Sequence, residues 1–422
     1  MWNVLHHRHH PTRELNELRV LRLVRDLGPI SRIELARATN LHKATVTDLV
    51  TKLIRAGYLE DTGQFQARSE VGRKRRLLRF RPLAGVVAGI DVRLTHSTVA
   101  IADLNARILY QESFDYQLQD DPRTVLKRAA DTLTALLKTA RLSPGKLVGI
   151  GVGVQGIINC STNTLVLSYT KKHWQGESLS APLEAAFDTP VYVENDVKTM
   201  TLGEYLLGAA KGVRDFIHIW VGEGVGAGIM INGQLLHGIT SSAGEIGYNA
   251  LDLSTFDRER FPLMYQERAM FGKVLTDANL VACYRANTPH RNGEEITVAT
   301  IARRAADGDA VAKQVIEEFV SLLSLLCINL VNALNPDMIV IGGSLAQADP
   351  GIAEMLQMKI HGDLLNPPAE AVRVRAASHG ESAVILGAAG LVLYELFEPL
   401  QRLSVRSTHR NLAGSDVGMA VR

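Results

Sequence analysis

The sequence predicts an α/β protein in which a small helical domain precedes two similar α/β lobes, and three observations carry that prediction. Apolar residues recur at helical spacing as far as Leu53 and at strand spacing from Gly85 onward. The strand meander, helix and buried strand that follow Gly85 recur in kind after Asp215. Charge divides along the same line. Residues 1–82 hold 17 Lys and Arg against 8 Asp and Glu, a net +9, while the rest of the 422-residue chain is net −7, so the sum of +2 hides a basic domain on an acidic one.

Composition bounds the remaining choices. With 46% hydrophobic and 21% charged residues, the chain is neither disordered, collagen-like nor a disulfide scaffold. Cys160, Cys283 and Cys327 fall into no ligand spacing, which favours a reducing compartment. Met1 to Pro11 lacks the apolar core of a signal peptide. Phe319 to Leu334 is interrupted by Ser321, Ser324, Asn329 and Asn332 and is shorter than the ~18 residues of a membrane span. A soluble, cytoplasmic protein with no membrane partner is expected.

In the basic domain, Leu15, Leu18, Leu21 and Val24 mark a first helix that stops at Gly28-Pro29. Ser31 and Glu34 form a capping box that opens a short second helix. A break at Thr39-Asn40-Leu41 leads to a third helix, His42 to Arg55, with Val46, Leu49, Val50 and Leu53 inward and Gly57 as its left-handed stop. Two helices joined by a tight turn form a helix-turn-helix, whose second helix enters a major groove N-terminus first. His42, Lys43, Thr45 and Thr47 are the candidate contacts on its leading turns. Tyr58–Glu60 and Leu77–Phe80 flank a polar turn and form a wing. Arg68, Arg73 and Lys74 on that wing suit a phosphate backbone or minor groove. Double-stranded DNA is the partner this domain implies. The histidines at 6, 7, 9 and 10 have no spacing typical of a folded metal site and are assigned to a disordered end.

In the large domain, strands are predicted at Gly85–Val92, Ser97–Leu104 and Ile108–Ser113, a helix at Pro122–Leu142 and a buried strand at Leu147–Val154. The second round places strands at Asp215–Val221 and Ala227–Ile231 about a glycine turn, and a buried strand at Met338–Ile341. Two such lobes leave a cleft, the usual place for a small ligand.

The motifs in this order resemble the ROK family of repressors, open reading frames and kinases, and its repressor branch in particular. They are Val193-Glu194-Asn195-Asp196 with Gly203-Glu204; Gly222 to Gly228 with Asn232-Gly233 and Gly238; Gly244-Glu245-Ile246-Gly247; Ile341-Gly342-Gly343-Ser344; and Gly387-Ala388-Ala389. The resemblance implies a winged helix-turn-helix followed by a two-lobed actin-like, hexokinase-like (ribonuclease H-like) ATPase-type domain. The expected division is 1–82 for the winged helix, 83–197 for the first lobe completed by a helix at 383–398, 198–382 for the second lobe, and 399–422 as a disordered tail.

The same resemblance implies sugar recognition by Asn195, Asp196, Glu245, Tyr248 and Glu267, with Asp196 matching the catalytic base of the family's kinases. Phosphoryl transfer needs glycines that let backbone amides approach phosphate. Where the kinases carry Asp-x-Gly-Gly-Thr this chain reads Asp91-Val92-Arg93-Leu94-Thr95, and their Gly-Thr-Gly is Gly222-Glu223-Gly224. No catalytic residue and no cofactor are therefore expected. The family's zinc site uses a histidine and a CxCGxxGC run; here the histidine is Tyr248 and Leu251–Gln266 has no cysteine, so no metal is expected there. Trp174 is open to a pocket-wall or a packing role, and Ala310–Leu334 to an interface or a core role. The implied function is a sugar-responsive transcriptional repressor acting as a homodimer or homotetramer. The alternative is a ROK-type sugar kinase with a fused DNA-binding domain.

Overall fold

The computed structural model describes residues 12–66, 75–252, 268–288, 295–363 and 371–397. Arg68, Arg73, Lys74, Glu267, most of the Leu251–Gln266 loop, the histidines at 6 to 10 and the C-terminal tail lie outside them.

The N-terminal unit forms from the signals read above. Its helices run Thr12–Leu27, Arg32–Thr39 and Lys43–Arg55. The capping box is complete: Ser31 Oγ accepts from Glu34 N at 3.4 Å and Glu34 Oε2 accepts from Ser31 N at 2.9 Å. Asn40 takes the left-handed conformation that lets the chain turn into the third helix. That helix ends with Gly57 N bonded to Ile54 O at 2.9 Å and Tyr58 N to Leu53 O at 3.0 Å, a Schellman pair that needs the positive φ of Gly57. The wing strands, Leu59–Gln66 and Arg75–Phe80, pair antiparallel with Leu59 opposite Phe80. A two-residue strand, Ile30–Ser31, adds a third edge beside Leu77–Leu78.

Each lobe is built on a five-stranded sheet of the same design. In the first, Val86–Val92, His96–Asp103 and Ile108–Asp115 form an antiparallel meander, and Leu147–Val154 and Val191–Asn195 extend it in parallel. In the second, Phe216–Val221, Val225–Ile231 and Gln234–Leu235 form the meander, and Met338–Gly343 and Arg373–Ala376 extend it. The recurrence read from the sequence is a duplicated topology. Its short strands Gln234–Leu235 and Arg373–Ala376 escaped notice because two to four residues cannot establish a period.

The helix Ala310–Leu334 is 25 residues long and by length and composition could cross a membrane, so the estimate that its apolar run falls short is corrected. Its buried residues, among them Phe319, Leu322, Leu323, Leu326 and Cys327, lie at the centre of the second lobe's core, which accounts for the apolar sequence. Trp174 is fully buried in the first lobe's core, with Nε1 donating to Asp120 O at 2.9 Å, and its role is packing.

The helix Ala383–Phe397 packs across the first sheet and the helix Asp196–Leu207. Glycine permits the close approach: a Cβ on Gly387 would stand 1.8 Å from Thr199 O, and one on Gly151 1.8 Å from Ala388 O. The end of the same helix joins the winged helix to the first lobe. Leu393, Leu396 and Phe397 share one apolar cluster with Leu21, Val24 and Leu53 and with Val87, Ala102, Leu104 and Val148. Arg25 lies 4.1 Å from the Phe397 ring centroid.

Candidate functional site

A cleft of about 990 Å³ opens between the lobes. The first lobe contributes Asp91 to His96, Gln155 to Ile157 and Ser168 to Thr170. The second contributes Trp220, Gly222 to Ala227, Ala243 to Glu245, Tyr248, Asp277 and Ser344, and Asn195 to Lys198 lie at the junction. Asn195, Asp196, Glu245 and Tyr248 are thus brought together.

Asn195 is held firmly. It caps the helix Asp196–Leu207 through Oδ1, which accepts from Lys198 N at 3.1 Å. Its Nδ2 donates to Gly156 O at 3.0 Å and to Asp196 Oδ1 at 2.9 Å. Both amide hydrogens are therefore used, leaving an oxygen lone pair for a ligand and making Asn195 chiefly a positioner of Asp196. Asp196 Oδ1 also accepts from Val197 N at 2.9 Å. Burial raises the Asp196 pKa, against the pull of two backbone N–H groups, Lys171 and Arg93.

Glu245 is half-buried, and its backbone bonds to Ser242 O and Tyr248 N while its carboxylate has no hydrogen-bond partner among the described residues. Burial raises its pKa, Lys198 lowers it and Asp196 raises it further. An unpaired carboxylate over the cleft can accept from vicinal hydroxyls, which would recover what desolvation costs. Tyr248 is 49% exposed at the rim, its ring 6.0 Å from that of Tyr169. Burial and the Tyr169 hydroxyl push its pKa up to about 12, so it presents a neutral phenol at physiological pH.

On the same cleft wall, side chains stand where the family resemblance would put the glycines of a phosphate cradle. Arg93 Nε donates to Asp91 Oδ2 at 2.9 Å, and Asp91 is almost fully buried. Burial raises the Asp91 pKa to about 6, against the lowering charge and hydrogen bond of Arg93. Glu223 is exposed on its turn, and Asp277 stands close enough for the two charges to repel. Asp277 accepts from Ser344 Oγ at 2.5 Å. Gly343, at φ +115°, keeps the retained glycine turn: a Cβ there would meet Val221 O at 1.7 Å. Close packing against the neighbouring strand Phe216–Val221 accounts for the glycines of this turn.

Two lysines were missed from the sequence. Lys171 is fully buried, 4.4 Å from the Trp174 ring centroid, and donates to Tyr116 Oη at 2.6 Å and to Arg93 O. Burial lowers its pKa to about 7, although Asp91 and Asp196 pull it up. Lys198 is buried and donates to Ser241 O at 2.6 Å, tying the helix Asp196–Leu207 to the loop that bears Glu245. Lys198 was findable, two residues beyond Asp196 on the same helix. Lys171 carried no signal, because its partners lie 55 and 78 residues away.

On the N-terminal unit, His42, Lys43, Thr45 and Thr47 are all exposed on the leading turns of the third helix. Thr47 Oγ1 donates back to Lys43 O at 2.8 Å, which leaves it as an acceptor only. At the base of the wing, Arg79 pairs with Glu60 at 2.6 Å and Arg76 with Asp61 at 3.4 Å.

Comparison with known proteins agrees with this architecture. The ROK family model matches residues 87–395 and the MarR family model residues 14–62. A xylose repressor of Caldicellulosiruptor bescii is 28% identical, over 91% of this chain and 96% of its own. The DNA-binding transcriptional repressor Mlc of Escherichia coli K12 is 26% identical, over 89% and 92% respectively. The crystal structure of a ROK family transcriptional regulator, a homologue of E. coli Mlc, superposes with a TM-score of 0.77. It is 24% identical in sequence, over 93% of this chain and 98% of that one, and it shares the fold.

Proposed function

The chain belongs to the ROK family, and we infer from that membership that it is a sugar-responsive transcriptional repressor. One observation carries the reading. A cleft that keeps hydroxyl-recognising groups has side chains in place of a phosphate cradle, and the first lobe, which forms one of its walls, shares an apolar cluster with the winged helix. The relatives named as repressors, matched over nearly their whole lengths, support it.

The mechanism follows from the packing. A sugar or sugar derivative binds to Asp196, Glu245, Tyr248 and Asn195, with Glu267 from the neighbouring segment. It favours one lobe angle to the extent that it binds that arrangement better than the other. The winged helix shares a core with the first lobe and the helix Ala383–Phe397, so it turns with them. In a homodimer or homotetramer the turn alters the separation of two recognition helices and hence the fit to a near-palindromic operator. His42, Lys43, Thr45 and Thr47 read the groove, while Arg68, Arg73 and Lys74 follow the backbone. The protein works in the cytoplasm, where its DNA is.

It does not transfer phosphate in this reading, for Glu223 and Asp277 oppose the phosphates of a nucleotide. Asp196 retains the place of a catalytic base, which keeps the sugar-kinase alternative testable. A thermal-shift screen against sugars and sugar phosphates, with Asp196→Ala as control, decides the first point: a specific upward shift lost in the variant is expected. Phosphorylation of any screened sugar with ATP, abolished by Asp196→Asn, would favour the kinase.

A further inference from the structure

Outside the cleft, three metal-ligating side chains from distant parts of the sequence converge on one point. Glu194 Oε2 lies 2.6 Å from His237 Nε2 and 3.3 Å from Cys160 Sγ, and the three ligand atoms all fall within 4.8 Å of one another. We propose that Cys160, Glu194 and His237 form a zinc site that ties the two lobes together beside the ligand cleft. It is separate from the family's cysteine-rich loop, whose counterpart here has no cysteine.

The donor set selects the ion. Thiolate, imidazole and carboxylate together suit Zn²⁺ and disfavour Mg²⁺ and Ca²⁺, which take oxygen ligands. Tetrahedral zinc at its usual bond lengths holds neighbouring ligand atoms about 3.3–3.6 Å apart. The Cys160–Glu194 distance is already in that range, and His237 has to withdraw from Glu194 by about 0.7 Å to admit the ion. Glu194 is 2% exposed, and its Oε1 is held by the Asn195 amide, which leaves Oε2 turned towards His237 and Cys160. Cys160 is exposed, so the ion can enter from solvent and keep a water in its fourth position.

The positions of the ligands give the site its consequence. Glu194 is the penultimate residue of the strand Val191–Asn195 of the first lobe, and Cys160 follows the short strand Ile157–Asn159. His237 follows Gln234–Leu235 of the second lobe. Glu194 Oε1 meanwhile accepts from Asn195 N at 2.8 Å, one residue before Asp196. An ion here restrains the lobe angle and the floor of the cleft at once.

Cobalt is the probe, because a tetrahedral thiolate site gives Co²⁺ a sulfur-to-metal charge-transfer band. The N-terminal histidines at 6, 7, 9 and 10 can bind cobalt too, but without sulfur they give no such band. Full-length, chelator-treated protein titrated with Co²⁺ is expected to develop the band at one ion per chain and to lose it on adding Zn²⁺. Cys160→Ser should abolish the band, and Cys283→Ser should leave it intact. His237→Gln, with an unchanged circular dichroism spectrum, should weaken cobalt binding by more than the about 10–100-fold that loss of an outer-shell partner costs. Absence of the band, its persistence in Cys160→Ser, or unchanged affinity in His237→Gln would each overturn the proposal.

Discussion

Truncating Phe397 should disconnect the sensor from the DNA reader without emptying the cleft. The side chain is 3% exposed, in the cluster that unites the winged helix, the first sheet and the C-terminal helix. Phe397→Ala removes a buried ring at a cost of about 3–5 kcal/mol. Loss of the Arg25 guanidinium over the ring adds about 0.5–1 kcal/mol. At about 2–4 °C per kcal/mol for a domain of this size, the melting temperature should fall by roughly 10 °C. Communication between sites is commonly about 1–3 kcal/mol, less than the joint loses, so the joint can yield in place of the operator contacts. Calorimetric titration with the effector and fluorescence anisotropy on operator DNA read the two ends separately. Effector affinity should stay within about twofold, while the effector-induced change in operator affinity, ordinarily about 5–150-fold, should shrink towards one. A variant that melts as the parent does and responds fully to effector would refute the argument that this cluster transmits the signal.

Three further outcomes follow from named groups. Asp196→Asn and Glu245→Gln should each weaken effector binding by about 10–150-fold, the loss of a charge-assisted hydrogen bond of about 1.5–3 kcal/mol, and leave effector-free operator binding unchanged by anisotropy. Lys43→Ala should weaken binding to all duplexes alike and lower the salt-dependence slope by about one if the lysine meets phosphate; a slope unchanged from the parent would exclude that role. His218 is fully buried, its Nε2 has no hydrogen-bond partner among the described residues, and burial depresses its pKa to about 4. Because the unfolded chain binds this proton near pH 6.5 and the folded chain does not, the neutral ring's contribution is present above pH 6.5 and lost as pH falls towards 4. Denaturant unfolding of wild type against His218→Gln should show that difference eroding by up to about 3 kcal/mol over that interval, and a pH-independent difference would contradict the assignment.

How much could be read from the sequence depended on the separation of the interacting groups. Ser31 and Glu34, Leu53 and Gly57, and the ends of Ala310–Leu334 are governed by neighbours within a turn or two, and the structure has them as expected. The duplicated lobes were legible because the first two strands of each meander run to six residues or more, whereas the two-residue Gln234–Leu235 left no trace. Asn195, Asp196, Glu245 and Tyr248 were brought to one cleft by motif order, and Glu267 was assigned to a segment outside the described residues. The Cys160–Glu194–His237 cluster was not legible: its members are 34 and 43 residues apart, and no spacing rule reaches across two lobes. Trp174 and Ala310–Leu334 were each open to two roles, because an apolar side chain looks alike at a core and at a surface until its neighbours are known.

The central claim is that ligand in the cleft and DNA on the winged helix are coupled with no phosphoryl transfer between them. Its most direct measurement is operator affinity, on a duplex selected from a random pool, with and without each sugar that stabilises the protein and with ATP omitted. One class of sugar is expected to change operator affinity by about fivefold or more, and Asp196→Asn to remove the change. An operator affinity indifferent to every stabilising sugar, or a response that appears only when ATP is present and consumed, would contradict it.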